Sequence, residues 1–136
     1  MKIVLDTNIL VISLSTKSKY HIILEKLING EFELMISNEI LLEYIEVITV
    51  KYGKVTADYF SSFLLYSDNV RKITPYYHWN LIESDADDNK FLDCVIAGQA
   101  DFIVTNDNHF NIMKQIEFPS IKVMDIDGFL NLLLNK

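Results

Sequence analysis

Two kinds of apolar segment alternate along the chain. Short runs rich in β-branched and aromatic residues, at 3–5, 32–36, 70–74, 102–104 and 121–124, are bounded by polar residues, the pattern of strands buried on both faces. Between them, apolar residues recur at helical spacing over 9–14, 20–28, 37–52, 56–66, 88–98 and 128–134. The punctuation agrees with this division. Ser37 stands where a helix needs a cap, while Asn29-Gly30, Gly53 and Gly98 stand where helices need a stop. Strands alternating with helices of this length predict an α/β fold, a three-layer α/β/α arrangement with a central parallel sheet of about five strands. A chain of 136 residues is sized for one domain, spanning 1–136, with a real core.

Two predicted strands end alike. Ile3-Val4-Leu5 runs into Asp6-Thr7-Asn8, and Phe102-Ile103-Val104 runs into Thr105-Asn106-Asp107, so each delivers an acid and a short polar side chain at its carboxyl end. In parallel sheets ligands bind beyond those ends, near the point where strand order reverses. Two more acids belong to helices beside that edge. Asp88 opens the helix that feeds the strand before Asp107, on the side that carries Leu92 and Val95. An aspartate there also complements a helix N-terminus, and Asp-Asp-Asn before an apolar run is an ordinary capping signal. Glu43 lies among Ile40, Tyr44 and Val47 on the apolar stripe of its helix, whereas Glu39 and Glu46 fit a solvated flank. Asp6, Glu43, Asp88 and Asp107 are thereby expected to converge.

Converging carboxylates repel one another and protonate unless a cation joins them. Oxygen donors without a suitably spaced Cys or His favour a hard ion, Mg²⁺ or Mn²⁺. One or two such ions beside an open groove suit phosphodiester hydrolysis by metal-activated water. The chain has no Gly-rich phosphate loop and no serine or cysteine triad pattern, so phosphate cradling and acyl-enzyme chemistry find no support.

Composition changes this picture only a little. With 19 acids against 12 bases the net charge is −7, the wrong sign for non-specific coating of nucleic acid, though a metal gathered by the acids would invert the local field. Lys17, Lys19, Lys51 and Lys54 are candidate phosphate contacts, and solvated surface lysines otherwise. Tyr76-Tyr77-His78-Trp79, near Arg71-Lys72, reads as packed core or a subunit contact before it reads as a base-stacking surface. His109 lies two residues past Asp107 and is expected to support the site from its edge. The single cysteine, Cys94, sits mid-helix among apolar residues, which implies a reducing cytoplasm. No window approaches the ~20 apolar residues of a membrane span, and strand-like residues from Lys2 leave no room for a leader.

The motifs LDTN at 5–8, Ser37 to Glu43, DDNKFLD at 87–93 and ADFIVTND at 100–107 together resemble the PIN domain, most closely the stand-alone toxins of VapC-like toxin–antitoxin pairs. The resemblance implies a Mg²⁺/Mn²⁺-dependent endoribonuclease acting on an RNA substrate, inhibited by a cognate antitoxin, cytoplasmic and often dimeric. It implies Asp6, Glu43, Asp88 and Asp107 as metal-binding catalytic acids, Asn8 and Thr105 as supporting polar residues, and Asp93 as a further acidic position of this branch. Asn106 departs from the pattern, because many relatives carry a small residue there.

Three other readings share some of these features. A phosphate-accepting receiver domain also gathers acids at strand ends, but Thr74-Pro75 and Asp125 stand where it needs an acceptor aspartate and a lysine. A haloacid-dehalogenase-like phosphatase needs Asp-x-Asp, and Asn8 takes its second place. A PIN-like scaffold that only binds a partner would keep every acid and lack activity.

Overall fold

In the computed structural model, which describes residues 1–135, the apolar runs form one sheet of five strands, all parallel. They are β1 (Lys2–Leu5), β2 (Glu33–Ile36), β3 (Val70–Lys72), β4 (Phe102–Val104) and β5 (Val123–Met124), in the order β3-β2-β1-β4-β5. Ile3, Val4, Leu5, Leu34, Ile36, Ile103 and Val104 are wholly buried, as strands covered on both faces must be. The six α-helices of the described residues are α1 (Thr7–Leu14), α2 (His21–Ile28), α3 (Asn38–Tyr52), α4 (Lys54–Tyr66), α5 (Asn89–Gly98) and α6 (Ile126–Leu134). Two 3-10 segments, Ala86–Asp88 and Asn108–Gln115, lead into α5 and follow β4.

The aromatic contacts mark two packed layers. Phe129 of α6 meets Phe32 and Phe102 edge-on at 5.4 and 5.8 Å, while Phe91 of α5 meets Phe110 of the second 3-10 segment at 6.4 Å. Helix α5 packs across β1, β2 and β4, and α1 packs on α2 and α3. The three-layer expectation holds.

Strand order decides one of the alternatives. A receiver-type sheet runs 2-1-3-4-5, whereas this one runs 3-2-1-4-5. Its reversal falls between β1 and β4, the two strands that deliver Asp6 and Asp107. The receiver reading therefore fails on topology.

Several boundaries move for local reasons. The strand expected over 70–74 ends at Lys72, although the Ile73 amide still donates to Ile36 O at 2.7 Å. The strand expected over 121–124 shortens to Val123–Met124. Helix α1 begins at Thr7 because Asp6 O already accepts from the Ile9 and Leu10 amides, and α6 begins at Ile126 because the Asp125 carboxylate caps Gly128 N at 2.7 Å. The left-handed residue closing α5 is Gln99, with φ 53°, rather than Gly98.

Residues 73–85 carry no regular structure between β3 and the first 3-10 turn, so side chains of α5 hold them. The buried Asn89 amide accepts from Ile82 N at 2.8 Å and donates to Ile82 O at 2.9 Å, in the manner of a strand partner. Asn89→Ala should lower the unfolding free energy by about 2 kcal/mol, since it strands two buried backbone groups. Urea denaturation measures this, and a change under ~0.5 kcal/mol would show that the pairing contributes little.

Candidate active site

Asp6 leaves β1 as the N-cap residue of α1, the place where an aspartate ordinarily spends its carboxylate on the helix amides. Here it makes no such bond. Instead it is buried, 7% exposed, and its Oδ2 accepts from the Thr105 hydroxyl at 2.7 Å. The same hydroxyl accepts from Asp107 N at 3.0 Å, so Thr105 ties the ends of β1 and β4 into one unit. Burial pushes the Asp6 carboxyl up to about 6, against the Thr105 hydrogen bond, and the charges of Asp88 and Asp107 add to the rise.

Asp88 occupies the N-cap position of α5 and also caps nothing with its side chain. Its Oδ2 accepts from His109 Nδ1 at 3.0 Å. Burial raises the Asp88 carboxyl above the ordinary carboxylate range; the His109 bond opposes this, and Asp85 and Asp107 reinforce it. Asp107 does cap, accepting from His109 N at 2.9 Å through Oδ1, and that oxygen also lies 3.2 Å from His109 Nδ1. The imidazole is thus raised above its ordinary value, chiefly by the Asp88 hydrogen bond, with Asp107 and Asp85 adding to it.

Glu43 reaches this edge from α3. Tyr44 beside it is wholly buried and donates its hydroxyl to Leu5 O at 2.5 Å, which fixes that turn of α3 against the end of β1. The Thr7 hydroxyl donates to Glu43 Oε2, and Lys90 Nζ of α5 lies 2.9 Å from Glu43 Oε1. The glutamate is therefore tied to Thr7, the residue after Asp6, and already carries a cationic partner.

The structure thus groups Asp6, Asp88 and Asp107, with Thr105 between two of them, and sets Glu43 alongside. Asn8 is exposed at the mouth of the same hollow as Asp6 and Asp107. Asp93 goes elsewhere. Its carboxylate is buried, lies 3.1 Å from His78 Nδ1 and accepts from Trp79 N at 3.0 Å, so it fastens the 73–85 segment to α5. Tyr76 and Tyr77 of that segment are exposed, contrary to the core reading, and Trp79 packs edge-on to Tyr77 and Phe118.

Sequence reasoning missed two participants, Asp85 and Lys90. Asp85, Asp88 and His109 form the one group, among the described residues, of three potential ligands with atoms all within 4.8 Å of one another. His109 bridges acids that the sequence placed near it, so its spacing from Asp107 was a usable signal. Lys90 had no such signal, since its partner lies on another helix.

The donor chemistry fits a hard divalent ion. Asp6 is a buried carboxylate without a cationic partner among the described residues, Asp88 and Asp107 crowd it, and their remaining lone pairs are oxygen donors.

The family model for the PIN domain matches residues 2–109. The chain belongs to the PIN-domain family. This PIN domain shares its fold with VapBC2 from Rickettsia felis, solved bound to a DNA fragment from its promoter, at a TM-score of 0.63 and 22% identity over 92% of this chain and 98% of that one. It also shares the fold with the PIN domain endonuclease Utp24, at a TM-score of 0.53 and 16% identity over 91% of this chain and 84% of the other. A search of curated proteins gives no match. The matched stretch of this PIN domain contains all four converging acids and ends on His109, leaving β5 and α6 beyond it. Those last elements still reach the site, because Asn106 Oδ1 accepts from Ile126 N at 3.0 Å. Asn106, the departure from the family pattern, is therefore the bracket between the Asp107 loop and α6.

Proposed function

We propose that this PIN domain is a Mg²⁺/Mn²⁺-dependent endoribonuclease, a cytoplasmic single-domain toxin of a type II toxin–antitoxin pair. One observation carries the reading: the buried Asp6 carboxylate makes no side-chain capping bond, is tied to the Thr105 hydroxyl, and is crowded by Asp88 and Asp107. The fold it shares with VapBC2 and with the endonuclease Utp24 supports nuclease activity and an antitoxin partner. No helix among the described residues is long and apolar enough to cross a membrane.

Asp6, Asp88 and Asp107 would hold the ion, with Glu43 joining them from the flank. When bound there, a divalent ion supplies activated water and neutralises charge on the leaving oxygen. Thr105 keeps Asp6 and Asp107 in register through one hydroxyl. Lys90 and Thr7 hold the Glu43 carboxylate in position. His109 orients Asp88 and Asp107 and carries a proton at Nδ1. Thr105→Val should slow cleavage at least tenfold, since one substitution loosens two acids. Unchanged cleavage by the folded variant would remove Thr105 from this role.

The Lys90–Glu43 ion pair favours a second reading, a scaffold whose acids are satisfied internally and which acts only by binding its partner. Incubating antitoxin-free protein with a mixed structured and single-stranded RNA pool separates the two. Cuts that require Mg²⁺ or Mn²⁺ support the nuclease; antitoxin binding without metal-dependent cuts supports the scaffold.

A further inference from the structure

Two hollows flank the carboxylate centre, and they differ in chemistry. One, of about 450 Å³, adjoins His109 and is walled mainly by Leu81, Ile82, Ile112 and Ile116. The other, of about 530 Å³, opens directly from Asp6 and Asp107 and is lined by Asn8, Ile12, Tyr20, Asn106 and Ile126. Only the second, of these two, offers a tyrosine ring and two side-chain amides.

The ring is held in place. Tyr20 donates its hydroxyl to Asp127 Oδ1 at 2.7 Å, its backbone amide donates to Ser18 Oγ at 3.0 Å, and Lys19 Nζ stands 5.1 Å from the ring centroid and 3.7 Å from the same Asp127 oxygen. A tyrosine tethered at both ends in a polar groove is a preformed flat surface, and every base has a π-face to lay on one. Asn106 spends its carbonyl oxygen on Ile126 N, which leaves its NH₂ to donate, and the exposed Asn8 amide offers a donor and an acceptor. Ile12 and Ile126 supply apolar wall. The acids in the lining repel a free anion, whereas a nucleobase is neutral and its phosphate would lie at the metal-binding acids.

We propose that this hollow is a nucleobase pocket: the base next to the scissile phosphate of single-stranded RNA stacks on Tyr20 and is read by the amides of Asn8 and Asn106. The proposal rests on the nuclease reading and adds where the substrate lies and what sets its sequence preference. Pairing in a duplex would hide the base from the ring, so the substrate is unpaired at that nucleotide.

The test uses a cleavable single-stranded oligoribonucleotide in which each nucleotide in turn is made abasic, with wild type, Tyr20→Phe and Tyr20→Leu. For wild type, removing the base at one nucleotide flanking the cut should lower kcat/KM about tenfold. Tyr20→Leu should lose a similar factor on intact RNA and nothing further on that abasic RNA, while Tyr20→Phe, which keeps the ring but gives up its tether to Asp127, should fall between wild type and Tyr20→Leu. Effects of Tyr20→Leu and of the abasic position that simply multiply would overturn the pocket. So would full activity of Tyr20→Leu. If wild type cleaves nothing, binding of hexaribonucleotides carrying 2-aminopurine at each position decides separately. Quenching at one position, lost in Tyr20→Leu, keeps the pocket while the nuclease reading falls; no such quenching overturns the pocket as well.

Discussion

Asp6→Asn should raise the melting temperature of the metal-free protein at pH 7.5 by about 10 °C and leave it nearly unchanged below pH 4. The Asp6 carboxyl is held at about 6, against 3.8 for a free aspartate, because it is buried and faces Asp88 and Asp107. Between those two values the folded protein binds more protons than the unfolded chain, so stability falls as pH rises through that window. Above it the loss is complete, on the order of 3 kcal/mol. Asparagine is neutral at every pH and still offers Thr105 an acceptor, so the variant escapes the loss. Divalent metal should reverse the ranking, because ligand binding to the folded state stabilises it by mass action. Mn²⁺ should raise the melting temperature of wild type more than that of the variant. Equal melting of the two proteins across the pH range would mean that Asp6 carries no such strain, and equal shifts with Mn²⁺ would remove it from the metal site.

Asp107→Asn should fold, bind the antitoxin and lose cleavage by about a hundredfold or more. The structural duty of Asp107 is to cap His109 N through Oδ1, and an asparagine oxygen can take that bond. What asparagine cannot replace is the second charge beside Asp6. The expected signature is therefore a well-folded protein, normal in antitoxin binding and silent on RNA. Cleavage at the wild-type rate would take Asp107 out of the site.

Asp6 and Asp107 were legible in the sequence for a simple reason. Asp6 directly follows one three-residue apolar run and Asp107 lies three residues past the end of another, and a run buried on both faces fixes where its carboxyl end lies, whatever packs around it. Strand order was not legible, because the pattern of alternation does not say which strand neighbours which; only the ladder placed the reversal between β1 and β4. The acids carried by helices were read with less resolution. Asp88 lies at the junction of a 3-10 turn with α5, and its freedom from capping depends on His109, 21 residues away. Asp93, five residues on along the same helix, faces His78 and Trp79 instead. Periodicity gives an angle around a helix, not the neighbour found at that angle. The Lys90–Glu43 pair was hidden for the same reason, since it joins α5 to α3 across the end of the sheet.

The short edge strands show a related limit. The 70–74 run reads as five residues of strand, yet only Val70–Lys72 pairs fully with β2 before the chain turns into the segment clamped by Asn89 and Asp93. Tertiary side-chain bonds replaced the ladder there, and apolar pattern carries no trace of such bonds. The same clamps fix the entry to the site, because that segment runs directly into Asp85 and Asp88.

The most direct measurement is the cleavage of single-stranded RNA by antitoxin-free protein in Mg²⁺, in Mn²⁺ and in EDTA, with the product ends identified and Asp6→Asn run alongside. Hydrolysis by metal-activated water predicts cuts in both metals, none in EDTA and none from the variant. It also predicts that a 2′-deoxy substitution at the scissile nucleotide is tolerated, since the 2′-hydroxyl takes no part. Cuts that persist in EDTA, or that leave 2′,3′-cyclic phosphate ends and require the 2′-hydroxyl, would contradict it.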